Sequence, residues 1–220
     1  VSSALSGYLA AQGVDPTKIH QLPNGVDTTL FHPDRAHPEV VRRELGLGSR
    51  LVIGFVGAFA DWHGLEALVT AVGEIARAGS LDLHLLMLGE GPSRPALREL
   101  ACRVGLEGRA ALPGSVPHDE VPHYLAAMDV CVLPSSNWYM SPIKLFEYGA
   151  MGRAIIAPRT LAVTEVMLDG EEGLLVTPGS RDELVRAILF MGAHSDRRAA
   201  MGAAFQERVR RRHTWRAVAG

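Results

Sequence analysis

Cysteine is nearly missing from this chain. Cys102 and Cys131 are the only two, lie in different apolar segments and form no CxxC pair, so a reduced, intracellular setting is the default expectation. No signal peptide is visible, and no apolar run reaches the ~18 residues of a bilayer-spanning helix, so membrane contact is expected to be peripheral at most. An excess of one charge is also lacking: the formal net charge is -2, and nothing global suggests nucleic acid or an acidic substrate. There is no internal repeat and no low-complexity tract. What is present is ordinary for a soluble domain, with 47% hydrophobic and 21% charged residues. Its 220 residues suffice for one well-packed domain. Val1-Ser-Ser-Ala-Leu enters a helical pattern without a start methionine, and Trp215 to Gly220 begins a segment that stops at once. The expectation is a piece of a longer protein.

From Leu51 onward, short apolar runs alternate with amphipathic stretches. The strand-like runs are Leu51–Val56, Leu83–Leu88, Arg109–Leu112, Asp129–Pro134, Ala154–Ala157 and Gly173–Val176. Between them, Leu65, Leu68, Val69, Val72 and Ile75 recur on one helical face, as do Val121, Tyr124, Leu125 and Met128. Helices are predicted from about Ser93 to Val104 and from about Ser141 to Gly152, and Leu184, Ala187, Ile188 and Met191 share the face of a later one. Strict alternation with continuous apolar strands predicts an α/β fold, a doubly wound parallel sheet of about six strands covered on both faces. Ligands bind such sheets at the carboxyl ends of the strands. The first fifty residues, rich in Pro, Asp and His after Pro23, read as a connection leading into the sheet.

Two segments could carry chemistry. Gly57-Ala-Phe-Ala-Asp-Trp-His-Gly64 joins a buried strand to a helix, and its two glycines allow a tight turn with backbone N–H groups close to an anion. Any strand-to-helix turn collects glycines, so this segment alone does not decide the matter. The second is Tyr139-Met-Ser-Pro-Ile-Lys-Leu-Phe-Glu-Tyr-Gly-Ala-Met-Gly152. Ser141 suits a helix cap and Pro142 the first helical position, which would leave free N–H groups facing the strand ends. Lys144 adds a positive charge in that turn. Glu147, three residues on, falls on the same side and can accept hydrogen bonds from ribose hydroxyls. The competing reading is an ordinary surface ion pair between Lys144 and Glu147. His118 and His123 flank Asp119 and Glu120 but match no metal-site spacing; Arg208, Arg210, Arg211 and Arg212 read as a solvated helix face, with an anionic membrane surface as the second reading.

The order of these motifs resembles the C-terminal domain of retaining GT-B glycosyltransferases, the large group 1 family (family four). Pro23-Asn-Gly-Val-Asp27 is similar to the family's PNGVD, and Gly89-Glu-Gly-Pro92 to its G-[DE]-G-P loop. Gly114-Ser-Val-Pro117, then Tyr124 to Ser135, resembles its base-binding loop and next strand. Asp169-Gly-Glu-Glu-Gly-Leu-Leu-Val176 and Trp215 fit its closing pattern. The resemblance covers nearly the whole chain. It implies that residues 1–48 are an interdomain entry helix, strand and connection, that 49–214 form a Rossmann-like nucleotide-sugar-binding domain, and that 215–220 begin a cross-over helix.

The implied activity is transfer of a sugar from a nucleoside diphosphate donor, UDP or GDP, to an acceptor, with retention of configuration. No metal or other cofactor is implied. The implied donor site comprises Gly57, Ala58, His63, Gly64, Gly114, Val116, Ser141, Pro142, Ile143, Lys144, Leu145 and Glu147, with Glu147 on the ribose, the Val116 backbone on the base, and the Ile143 and Lys144 amides on the diphosphate. The acceptor, a glycan, lipid or small molecule, would bind through an N-terminal domain, in the cytoplasm or at the inner face of the membrane. Three departures matter. Ala58 and His63 stand where the family usually has an Arg and a Lys, and Tyr139 stands where the first of two glutamates, the one that contacts the donor sugar, would be. In this resemblance Lys144 supplies the missing charge. The alternative is a sugar-nucleotide-binding module without transferase activity; a GT-B-shaped epimerase is disfavoured, since no cluster of carboxylates and histidines stands at the strand ends.

Overall fold

The computed structural model describes residues 2–139 and 141–219; Val1, Met140 and Gly220 lie outside the described residues. Six strands, β1 (Leu51–Val56), β2 (Leu83–Leu88), β3 (Ala110–Gly114), β4 (Val130–Val132), β5 (Ala154–Pro158) and β6 (Leu174–Val176), build one sheet in the order β3-β2-β1-β4-β5-β6. Every pairing is parallel. All residues of β2 and of β5 are buried, as continuous apolar strands covered on both faces require. Helices α1 (Ser3–Ala11) and α2 (Pro38–Glu44) precede β1. The sheet's connections carry α3 (Leu65–Ala78), α4 (Arg94–Arg103), α5 (Val121–Ala127), α6 (Ile143–Ala150) and α7 (Leu161–Thr164), and α8 (Arg181–Ala193), α9 (Ser195–Arg212) and α10 (Trp215–Ala219) follow it. The expected faces of α3 and α8 are the buried ones. No helix among the described residues is long and apolar enough to cross a membrane.

Strand order reverses between β1 and β4, which opens a crevice at their carboxyl ends. β4 pairs with β1 at Ile53 and Gly54. Beyond that, the phenol of Tyr148 on α6 accepts from the N–H of Val56 at 2.9 Å and donates to its carbonyl at 3.2 Å. Tyr148 is completely buried, so this one side chain fastens α6 to the end of β1. On its other side α6 lies close to α9: a Cβ on Gly149 would come within 2.7 Å of the Phe205 ring.

Several boundaries differ from the sequence reading, each for a local reason. β4 is shorter than Asp129–Pro134 because the Asp129 carboxylate caps the Val52 N–H at 2.8 Å while also holding Arg42 at 2.8 Å, and Pro134 has no N–H to offer. Helix α6 begins at Ile143, not Ser141. Ser141 precedes a proline, which disfavours the helical region, and Pro142 is itself extended with ψ 110. Ser141 is therefore not the cap and Pro142 is not the first helical residue. Within residues 1–48 no described residue belongs to a strand; the expected strand is a single bridge, Val26 to Thr214. That segment nonetheless packs on the sheet domain, through buried Val26, Phe31, Val41 and Leu47.

Tyr148→Phe leaves the Val56 N–H without its partner. The expected loss is about 1–3 kcal/mol of folding stability, read from the midpoint of urea unfolding; an unchanged midpoint would show that the phenol does not fasten α6.

Candidate functional site

At the crevice between β1 and β4 lies a cavity of about 420 Å³, lined by Asn24, Val56, Gly57, Trp62, His63, Leu133, Ser136, Asn137, by Ser141 and Pro142 just before α6, and by Ile143, Lys144 and Glu147 on it. Seven residues named from the sequence thus meet there: Gly57, His63, Ser141, Pro142, Ile143, Lys144 and Glu147.

Lys144 is one of only two lysines in the chain. Its ammonium crosses from α6 to the turn after β1, where Nζ lies 2.8 Å from His63 Nε2 and 5.3 Å from the centre of the Phe55 ring. Gly57 makes this crossing possible: with φ at +143°, its bare Cα faces the lysine, and a Cβ would stand 3.0 Å from Cε. His63 Nδ1 is 2.8 Å from the Ala58 carbonyl. A carbonyl only accepts, so Nδ1 carries the proton and Nε2 receives one from the ammonium. Burial, then the charge of Lys144, push the imidazole down to about 4. His63 is neutral, and the proton belongs to the lysine.

Burial also lowers Lys144 itself, to about 8, with Glu147 opposing. Glu147 moves the other way: burial raises its carboxyl, opposed by His118 and then Lys144. The two feel each other's charge, yet among the described residues they form no ion pair within 4.0 Å. The surface-ion-pair reading therefore fails: Lys144 bends to His63, and the Glu147 carboxylate remains open toward the cavity. A cation beside a neutral partner, at a helix N-terminus, suits an incoming anion. The Ile143 and Lys144 N–H groups donate to no described residue, whereas the Leu145 N–H bonds the Pro142 carbonyl at 3.1 Å and its side chain is in the core.

Several N–H groups of the glycine turn are already engaged within the fold. The N–H groups of Gly57, His63 and Gly64 are spent on the carbonyls of Leu88, Ala60 and Asp61. The turn contributes the room at Gly57 and the acceptor of His63; Ala58 is exposed and, like Gly64, outside the cavity lining. Gly114 and Val116 also lie outside the lining. Gly114 accepts from the Gly89 N–H at 2.8 Å, and the loop that follows brings His118 into electrostatic range of Glu147. Asn24, Trp62, Ser136 and His118 were not singled out as site residues from sequence. Asn24 stood inside the PNGVD motif, but only the fold shows that this motif folds back on α6, where Asn24 Nδ2 donates to the Ser141 carbonyl at 2.9 Å. Among the described residues, no group of three or more His, Cys, Asp or Glu side chains is placed to hold a metal.

The family model "Glycosyl transferases group 1" matches residues 50–193. A GDP-mannose-dependent alpha-(1-6)-phosphatidylinositol monomannoside mannosyltransferase of Mycobacterium tuberculosis is 30% identical over 225 residues, covering 100% of this chain and 58% of that protein. The 2-deoxystreptamine glucosyltransferase of Streptomyces kanamyceticus is 31% identical over 82% of this chain and 47% of its own. The chain therefore spans about half the length of these curated relatives. Among solved structures, Anabaena HepE in complex with UDP superposes with a TM-score of 0.89 over 99% of this chain and 59% of HepE. At 21% identity that likeness concerns the fold.

With only Lys18 and Lys144 in the chain, isotope-labelled lysine gives two NMR side-chain signals. Lys144 is expected to titrate near about 8, and a midpoint above ~10, the ordinary lysine range, contradicts the burial described. The unfolded chain holds this proton more tightly than the folded one. The stability contributed by this group therefore rises with pH between about 8 and 10.5.

Proposed function

We propose that this chain, which belongs to the group 1 glycosyltransferases, is the donor-binding half of a two-domain enzyme that moves a sugar from a nucleoside diphosphate to an acceptor with retention of configuration. One observation carries the reading: the Lys144 ammonium stands at the N-terminus of α6 in the β1/β4 crevice, hydrogen-bonded to a neutral imidazole and with no carboxylate of the described residues in contact. The diphosphate lies at the start of α6, on the Ile143 and Lys144 amides and the ammonium. Glu147, one turn further, accepts from the ribose hydroxyls. The Val116 backbone meets the base, at the loop that brings His118 into electrostatic range of Glu147.

As the sugar departs, the diphosphate gains negative charge. A fixed ammonium, partly withdrawn from water, favours that charge more than solvent would. Lys144 thus does what the family's Arg and Lys do from positions where this chain has Ala58 and His63, and His63 serves as its positioning acceptor. The acceptor, a glycan, lipid or small molecule, binds across the cleft on a second domain. The donor base is uracil or guanine: the mycobacterial relative is named for GDP-mannose and HepE was solved with UDP. A second reading, a binding module without transfer, draws on Tyr139, which occupies the first carboxylate's place and lies outside the cavity lining.

Lys144→Met should weaken UDP or GDP, whichever binds, by about 10- to 100-fold in calorimetry, the range of a charge-assisted hydrogen bond. Affinity unchanged within about twofold would remove Lys144 from the phosphate site. Glu147→Gln should weaken the ribonucleotide more than its 2′,3′-dideoxy analogue, and equal losses sink the ribose assignment.

A further inference from the structure

Helix α1 adds nothing to the hydrophobic core. None of its nine residues is buried, and a helix of that length does not persist in water unaided. It is held instead by contacts at the carboxyl end of the sheet. Ser3 donates to the Glu165 carboxylate at the end of α7, from its N–H at 3.4 Å and from its hydroxyl. Further contacts go to residues 133–142, which join β4 to α6. The Ser2 hydroxyl donates to the Tyr139 carbonyl at 2.6 Å and accepts from the Leu5 N–H at 3.3 Å. One side chain, 1% exposed, thus caps α1 and grips the loop. The Tyr8 ring meets Trp138 edge-on with centres 5.4 Å apart, and Trp138 meets Tyr139 at 5.3 Å.

The loop so gripped is a wall of the crevice: Leu133, Ser136, Asn137, Ser141 and Pro142 all line the cavity. The segment before the sheet takes hold of it a second time, where Asn24 Nδ2 donates to the Ser141 carbonyl at 2.9 Å. Two carbonyls of the loop are therefore fixed from outside the sheet, by residues 137 and 117 positions away. Ser2 and Tyr8 stand apart from Asn24 in one respect, because neither lines the cavity. Each reaches it only through Tyr139 or Trp138, and Trp138 follows the lining residue Asn137 directly.

We propose that Ser2 and Tyr8 are positioning residues for the nucleotide: through them α1 clasps the β4–α6 loop in the shape that receives the diphosphate. This rests on the reading that the crevice binds a nucleoside diphosphate. A loop that leaves its receptive shape weakens the ligand in proportion to the time it spends elsewhere. Released from α1, a loop in that shape for about a tenth of the time binds about tenfold more weakly. Because α1 buries no residue of its own, the loss falls on the loop and not on the core.

Calorimetry on the 220-residue chain with UDP and with GDP tests this. Tyr8→Ala should weaken whichever diphosphate binds by about tenfold, while Tyr8→Phe, which keeps a ring against Trp138, should stay within about twofold. Ser2→Ala should act in the direction of Tyr8→Ala. The urea midpoints of all three should match the original, because α1 lies outside the core. Amide hydrogen exchange gives a second readout. Residues 135–139 should exchange faster in free Tyr8→Ala and return to the original rate when the nucleotide is saturating. A merely structural contact predicts a lower urea midpoint with affinity kept, and that result overturns the proposal. Equal losses in Tyr8→Ala and Tyr8→Phe also overturn it. If the unsubstituted chain binds a diphosphate and Tyr8→Ala binds it equally well, the clasp alone is refuted. If the unsubstituted chain binds neither UDP nor GDP, the nucleotide reading falls and takes this one with it.

Discussion

A lysine ammonium held by a neutral imidazole, with no carboxylate of the described residues touching it, is the constraint around which the crevice is arranged. Burial weakens the hold of Lys144 on its proton, and the His63 hydrogen bond offsets part of the lost hydration. A carboxylate at that point would satisfy the cation and close the site to other anions. A neutral acceptor keeps it in place and leaves its charge available. Glu147 is close enough to raise the lysine's proton affinity but makes no ion pair with it.

The fold supplies this geometry through a few contacts. The sheet order brings β1 and β4 together with their carboxyl ends at the crevice. Tyr148 binds the last residue of β1 and thereby sets the height of α6. Gly57 clears the path of the lysine chain across that junction. The segment before the sheet returns to the same place, where Asn24 holds the carbonyl of Ser141, and the Gly25 backbone packs against Trp215 at the far end of the chain. The stretch after Thr214 and the stretch before Val26 therefore meet beside the site.

Much of the fold was legible in the sequence because parallel strands buried on both faces are continuous apolar runs. β1 and β2 fall where those runs fall, and the alternation with helices determines the sheet class. The start of α6 was less legible, since the Ser-Pro pair fits a cap followed by a first helical residue equally well; the extended backbone at Pro142 decides between them. In the site, the spacing of Lys144 and Glu147 showed that they share a side of α6. It could not show that the lysine leaves its helix for His63, because that contact spans 81 positions in sequence. Asn24 and Ser136 were out of reach for the same reason, and which N–H groups of the glycine turn are already spent is invisible in sequence.

If Lys144 supplies the counter-charge of the diphosphate, its proton becomes fixed when the diphosphate binds. Calorimetric titration of the nucleoside diphosphate at pH 8, in buffers of differing ionisation enthalpy, measures proton uptake directly. With the free lysine near about 8 and fully protonated in the complex, uptake should be about half a proton per site, absent in Lys144→Met and fading as the pH falls toward 6. Binding enthalpies independent of the buffer at pH 8 would show that Lys144 does not carry the phosphate's counter-charge.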